Sequence, residues 1–170
     1  MIAYAIDSCD LGKILLARHA DSICSVILAD NETALWDELR RNFPQASLQG
    51  NDTPAQQWLT QVIGILDNPS QSLDLPLTMS GTAFQQQVWQ ALREIPAGTT
   101  RSYSELAQTL GKPHTVRAVA SACAANKIAV LIPCHRVIRS DGALSGYRWG
   151  IERKQRLLER EQQAQKTPLV

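Results

Sequence analysis

Apolar positions along this chain change rhythm near its middle. Compact apolar runs at residues 2–6, 13–17 and 22–28 come first, parted by turn-prone residues at Asp10 to Gly12 and Ala20-Asp21. Short runs bounded in this way predict strands, here a small antiparallel sheet. Ala34, Leu35, Leu39 and Phe43 then recur at helical spacing until Pro44. Trp58, Val62, Ile65 and Leu66 repeat that spacing and stop before Pro69. A tract from 67 to 79, with two prolines and several polar residues, reads as the linker.

Beyond it the pattern is mainly helical. Thr82 with Gln85 forms a capping-box signature, and Phe84, Val88, Trp89, Leu92 and Ile95 line one face before Pro96. Ser102 with Glu105 is a second capping box, opening a short helix through Leu106, Ala107 and Leu110 that Gly111 ends. Thr115 is expected to cap a third helix running to about Asn126. Two short helices around a Gly- and Pro-containing turn read as a helix-turn-helix, although many helical bundles contain such corners. Residues after Glu161, including Pro168, are expected to fray. The fold class is therefore an α/β (α+β) N-terminal subdomain, residues 1–80, followed by a mainly helical domain, residues 81–170.

Charge separates the same two halves. Residues 1–80 hold 4 basic and 10 acidic side chains, whereas residues 81–170 hold 13 and 6. A basic second half suits a polyanion such as DNA, and a solvated surface with chance clustering would look alike. No apolar run reaches the ~20 residues of a membrane span, and the N-terminus lacks the features of a signal peptide. A cytoplasmic monomer with no membrane partner is the expectation. Cys9, Cys24, Cys123 and Cys134 show no C-x-x-C pair, so reduced thiols are expected. His19, His114 and His135 show no zinc-like spacing, and no metal or cofactor is expected.

The chemistry concentrates at Ile132-Pro133-Cys134-His135-Arg136-Val137. A thiol beside proline, imidazole and guanidinium is an unusual way to fill a core. Nearby His or Arg raises the thiolate population at neutral pH. A buried, inert cysteine is the bland alternative. The helix Val116-Arg117-Ala118-Val119-Ala120-Ser121-Ala122-Cys123 offers few long polar side chains for reading bases. It could approach DNA closely through Arg117, Ala118, Ser121 and Ala122 without reading sequence, or be an Ala-rich packing helix with Arg117 at its surface.

This constellation resembles the active-site signature of the O6-alkylguanine-DNA alkyltransferases. The likeness includes Arg117-Ala118-Val119, Asn126, the Cys134 run, Gly142 and Gly146-Tyr147, and is dense from about Thr82 to Glu161. Within the family it resembles the C-terminal domain of the bacterial Ada regulators, and no separate Cys-rich sensing domain is expected. The resemblance implies transfer of an alkyl group from O6-alkylguanine in double-stranded DNA to Cys134, once per molecule. The thiol proton would pass through a water to His135, oriented by Glu161, with Asn126 bracing the loop. The implied DNA contact is in the minor groove, with Arg117 filling the space of a nucleotide rotated out of the stack. Tyr103 and Lys154 would offset charge on the departing base. Main-chain groups around Cys134, Val137, Tyr147 and Arg148 would recognise it.

Several readings stay open in the sequence. Lys154 could equally be a plain surface lysine. Trp149 is expected to narrow the pocket, favouring methyl over benzyl, unless it packs against a neighbouring helix. A cysteine hydrolase and a non-catalytic DNA-damage recogniser or regulator are the competing functions. Use of O4-methylthymine is not decided by these residues.

Overall fold

The computed structural model describes residues 1–166. Contacts divide the chain into two compact units, Met1–Met79 with Lys127–Ala129, and Ser80–Asn126 with Val130 onward.

In the first unit β1 (Ile2–Cys9), β2 (Gly12–His19) and β3 (Ser22–Ala29) form an antiparallel meander. A two-residue strand, β4 (Leu48–Gln49), adds in parallel to β1 and gives the sheet order β3-β2-β1-β4. Two residues carry too little periodicity for the sequence to have announced β4. The middle strand is buried on both faces, with Ile14, Leu15, Leu16 and Ala17 fully inaccessible. That explains its continuous apolar run, where a half-exposed strand would alternate. Helices α1 (Glu32–Asn42) and α2 (Thr53–Asp67) pack on this sheet through Leu35, Leu39, Leu59 and Val62.

Polar contacts fix where these helices begin. Asn31 caps α1, accepting from the Ala34 N–H at 2.9 Å. Asp52 caps α2, accepting from the Ala55 N–H at 3.0 Å, and also takes Nη2 of Arg18 from β2 at 2.9 Å. One carboxylate thereby ties a helix N-terminus to the sheet. The outer edge of β3 is covered rather than left open. Part of the expected linker pairs there, with Thr78 donating to Ile23 at 2.9 Å, and so does Lys127, accepting from Val26 at 3.0 Å. Covering an edge strand in this way removes a template for unwanted pairing.

The second unit holds α3 (Ala83–Arg93), α4 (Tyr103–Thr109), α5 (Val116–Ala124) and α6 (Ile151–Lys166). Both capping boxes form: Thr82 with Gln85 opens α3, and Ser102 with Glu105 opens α4. The Trp89 indole N–H donates to the Ala122 carbonyl at 2.9 Å, locking α3 to α5 within an apolar contact. Gly111, at φ +73°, takes the left-handed conformation that ends α4.

Three local expectations need correction. Thr115 precedes α5, but its hydroxyl donates to the Lys112 carbonyl at 2.6 Å instead of capping the helix. The helix stops at Ala124, two residues short of Asn126, whose side chain has other partners. At the other end α6 continues to Lys166, beyond the point where fraying was expected. Pro168 lies outside the described residues. Among those residues no helix is long and apolar enough to cross a membrane.

Candidate active site

The turn bearing Cys134 is built by its own residues. Pro133, at φ −82° and ψ 63°, occupies an inverse γ-turn closed by the Cys134 N–H on the Ile132 carbonyl at 2.8 Å. The proline ring restricts φ to about the value that this turn uses. Residues Cys134–Arg136 continue as one turn of 3-10 helix, and the chain leaves as β6 (Val137–Ile138). There it pairs in parallel with β5 (Arg101–Ser102), Arg101 opposite Val137 and Ser102 opposite Ile138. Since β5 runs straight into α4, this short ladder brings Tyr103 beside the cysteine turn. Upstream, Val130 holds φ +71°, a strained setting for a β-branched residue, of a kind found where surrounding structure over-determines the backbone.

Cys134 is buried, and Asn126 holds it. The Asn126 amide donates to the Ile132 carbonyl at 2.9 Å and to Cys134 Sγ at 3.3 Å. Burial raises the thiol's pKa, while the Asn126 N–H and the charges of Lys154 and Arg148 only partly oppose it. The resting side chain is thus a protonated thiol. His135 and Arg136, its neighbours along the chain, both hydrogen-bond Glu161.

Glu161, from α6, accepts from His135 Nε2 at 3.0 Å and from Arg136 Nη2 at 2.8 Å. Arg136 also donates through Nε to Glu161 at 2.9 Å and through Nη1 to the Ile95 carbonyl at 2.6 Å. Burial alone would raise the Glu161 pKa, but the His135 and Arg136 hydrogen bonds outweigh it and hold the carboxyl at about 2. An ionised acceptor on Nε2 keeps the hydrogen there and leaves Nδ1 bare. Nδ1 is buried and has no hydrogen-bond partner among the described residues. Burial also lowers the His135 pKa, against the pull of Glu161, so the ring is neutral. A neutral imidazole with one free, buried nitrogen is equipped to take a proton.

Lys154 is fully buried, which removes the surface-lysine reading. Its Nζ donates to Ser145 Oγ at 3.1 Å, and Ser145 Oγ lies 2.6 Å from the Tyr103 hydroxyl. The Tyr147 ring stands edge-on to His135, centroids 6.5 Å apart, with its hydroxyl buried and unpartnered among the described residues.

A cavity of about 260 Å³ is lined by Tyr103, Cys134, Tyr147 and Arg148, all singled out from sequence. Ala120, Cys123, Ala124 and Gly146 complete its wall. Two residues assigned to the pocket from sequence are absent from this wall. Val137 is fully buried in the β5–β6 ladder, and Trp149 lies behind Tyr147 at 5.2 Å between ring centroids. Trp149 therefore does not narrow the cavity by lining it. On α5, Arg117, Ala118, Ser121 and Ala124 form the exposed face, whereas Ala122 points inward and is 1% exposed. The helical phase explains the correction: Ala122 falls on the side of Val119 and Cys123. The cysteine motif shows Arg136 without its partner, and Ser145 carries no signal in the sequence. Their contacts join residues 25 and 42 positions apart, which spacing alone does not reveal.

A family model described as "6-O-methylguanine DNA methyltransferase, DNA binding domain" matches residues 83–163. The Escherichia coli (strain K12) bifunctional transcriptional activator/DNA repair enzyme Ada is 54% identical over 160 residues, 94% of this chain and 45% of that protein. The chain spans about half the length of the Ada relatives it matches, 45% and 46%. A methylated-DNA–protein-cysteine methyltransferase of Methanosarcina barkeri is 53% identical over 164 residues, covering 94% of this chain and 96% of that one. Among solved structures, Mycobacterium tuberculosis OGT in complex with DNA superimposes with a TM-score of 0.81 at 33% identity, covering 95% and 94% of the two chains.

Proposed function

The chain belongs to the methylated-DNA–protein-cysteine methyltransferase family, and we propose that it repairs O6-alkylguanine in double-stranded DNA by moving the alkyl group to Cys134. The observation that carries this reading is a thiol in the wall of a cavity, next in the chain to a histidine whose Nδ1 is buried without a hydrogen-bond partner among the described residues.

The thiol must lose its proton before it attacks, because only thiolate is an effective nucleophile. That proton passes through a water to Nδ1 of His135, and the ionised Glu161 stabilises the imidazolium that results. Sulfur then attacks the alkyl carbon from behind. The S–C bond forms as the C–O6 bond breaks, and the electron pair leaves with guanine. Tyr103 returns a proton to the base, while Lys154 offsets the developing charge. Asn126 keeps the turn in place throughout. The product is a thioether, which no group in this site cleaves, so each molecule acts once and needs neither cofactor nor metal.

Access to the cavity requires the damaged nucleotide to leave the stack. The α4–turn–α5 pair is read as a helix-turn-helix whose second helix enters the minor groove. Its exposed face of small residues supports close approach, and Arg117 supplies the wedge. Main-chain groups of Cys134, Val137, Tyr147 and Arg148 remain the proposed base readers, Val137 by its backbone alone. Residues 1–80 form the structural domain and 81–170 the DNA-binding and transfer domain, in a protein working as a cytoplasmic monomer.

Titration distinguishes this function from ordinary catalysis. Lesion-bearing duplex is added in increasing excess, and repaired guanine is counted per protein. A plateau at one equivalent is expected. Continued turnover, or binding without loss of the lesion, would reject the proposal.

A further inference from the structure

We propose that the Ser145 hydroxyl relays a proton from Lys154 to Tyr103, coupling protonation of the departing base to a buried ammonium. The inference rests on the alkyl-transfer reading above and assigns Ser145 a positioning role within it.

The geometry is a three-member chain. Lys154 comes from the first turn of α6 and is fully buried, so its ammonium needs a partner inside the protein. Nζ donates to Ser145 Oγ at 3.1 Å. Oγ in turn lies 2.6 Å from the Tyr103 hydroxyl, which lines the cavity with Cys134. A hydroxyl accepts two hydrogen bonds and donates one. Ser145 therefore takes the lysine N–H while its own O–H remains available to tyrosine oxygen.

This arrangement answers a need of the reaction. Burial raises the Tyr103 pKa, with the Ser145 hydrogen bond opposing it, so a bare phenolate is costly here. When Tyr103 gives its proton to guanine, the Ser145 O–H proton moves to the phenolate oxygen. At the same time one Nζ proton moves to Oγ. Tyrosine and serine end neutral, and lysine is left as a neutral amine. Burial already lowers the Lys154 pKa, which favours that end state. One proton is transferred overall, with no change of oxidation state.

The loop carrying Ser145 is held independently of this contact. Gly142 N–H donates to the Arg139 carbonyl at 2.9 Å, and Arg139 N–H to Ala143 at 3.1 Å. Removing the hydroxyl should leave the loop's own turn intact.

The test compares two alkyl donors in single-turnover experiments on the wild type, S145A and S145T. O6-Methylguanine in duplex DNA releases a base that needs a proton, whereas iodomethane releases iodide, which needs none. S145A should transfer from DNA roughly 100-fold more slowly, the lower end of a general-acid contribution. Its reaction with iodomethane should match the wild type, and S145T should recover transfer from DNA. Equal DNA rates in S145A and wild type overturn the relay, as does equal slowing with both donors or failure of threonine to restore the rate. A wild-type protein inert toward the DNA donor would instead overturn the alkyl-transfer reading on which the relay depends.

Discussion

The first unit hides little but hydrocarbon, with Ser25 its one fully buried polar side chain among the described residues, whereas the second unit buries Ser102, Asn126, His135, Lys154 and Glu161. Burying such groups costs several kcal/mol unless each finds a partner, and even paired charges often break even against apolar packing. A fold selected for stability alone has little reason to gather them. Their concentration around one thiol marks where stability has been given up for chemistry. The first unit keeps its charged pair, Arg18 with Asp52, nearer the surface, and there it fastens a helix end to a strand.

The contrast breaks most visibly if the buried carboxylate proves dispensable. Glu161→Gln should slow alkyl transfer by about 100-fold or more, because His135 loses the partner that fixes its tautomer. It should also cost roughly 3–5 kcal/mol in urea melts, since Arg136 is left without its buried counter-charge. Near-normal transfer in a folded variant would mean that Glu161 only supports the fold.

Leu15→Ala in β2 should behave in the opposite way. It should destabilise by about 2–5 kcal/mol, yet leave the transfer rate per folded molecule unchanged in rapid-quench assays. A matching loss of rate would show that the sheet shapes the site directly. Asn126→Ala lies between these cases. The Ile132 carbonyl is left without its side-chain donor, at a cost of about 1–3 kcal/mol, and transfer should fall because Sγ loses its amide contact.

Acidity sharpens the comparison further. Glu161 has a folded pKa of about 2 against an ordinary 4.5. Its contribution to stability is complete above the ordinary value and is lost as pH falls from there toward 2. His135 is also depressed, from 6.5, so protonation costs stability as pH drops below that value. Thermal stability should thus decline progressively in acid, and the loss should be smaller in Glu161→Gln. The transfer rate should hold at pH 6.5 and fall only in more acidic buffer. A rate that climbs steeply between pH 7 and 8.5 would point instead to free thiolate as the limiting species. The smallest effect concerns DNA alone: Arg117→Ala should weaken binding similarly across sequences and reduce the salt slope by about 1.

Legibility in the sequence followed the range of the interactions. Strands β1 to β3 and helices α1 to α4 announce themselves through local periodicity and caps, such as Thr82 with Gln85 and Ser102 with Glu105. Cys134, His135, Asn126 and Glu161 came from motif resemblance, and the structure pairs Asn126 with Cys134 and His135 with Glu161. What spacing could not supply was direction. Trp149 follows Tyr147 closely but packs behind it, and Ala122 sits on the inward phase of α5. Arg136 was visible beside the cysteine, yet its grip on Glu161 depends on α6 returning to the same place. Ser145 gains meaning only when the loop sets it between Tyr103 and Lys154.

The most direct measurement is intact and peptide mass after mixing equimolar protein with duplex DNA containing one O6-methylguanine. Gain of a single methyl group, mapped to the peptide bearing Cys134 and absent in Cys134→Ala, is the predicted result. An unmodified protein bound to DNA that keeps its lesion would contradict the account and leave a damage-recognition role in its place.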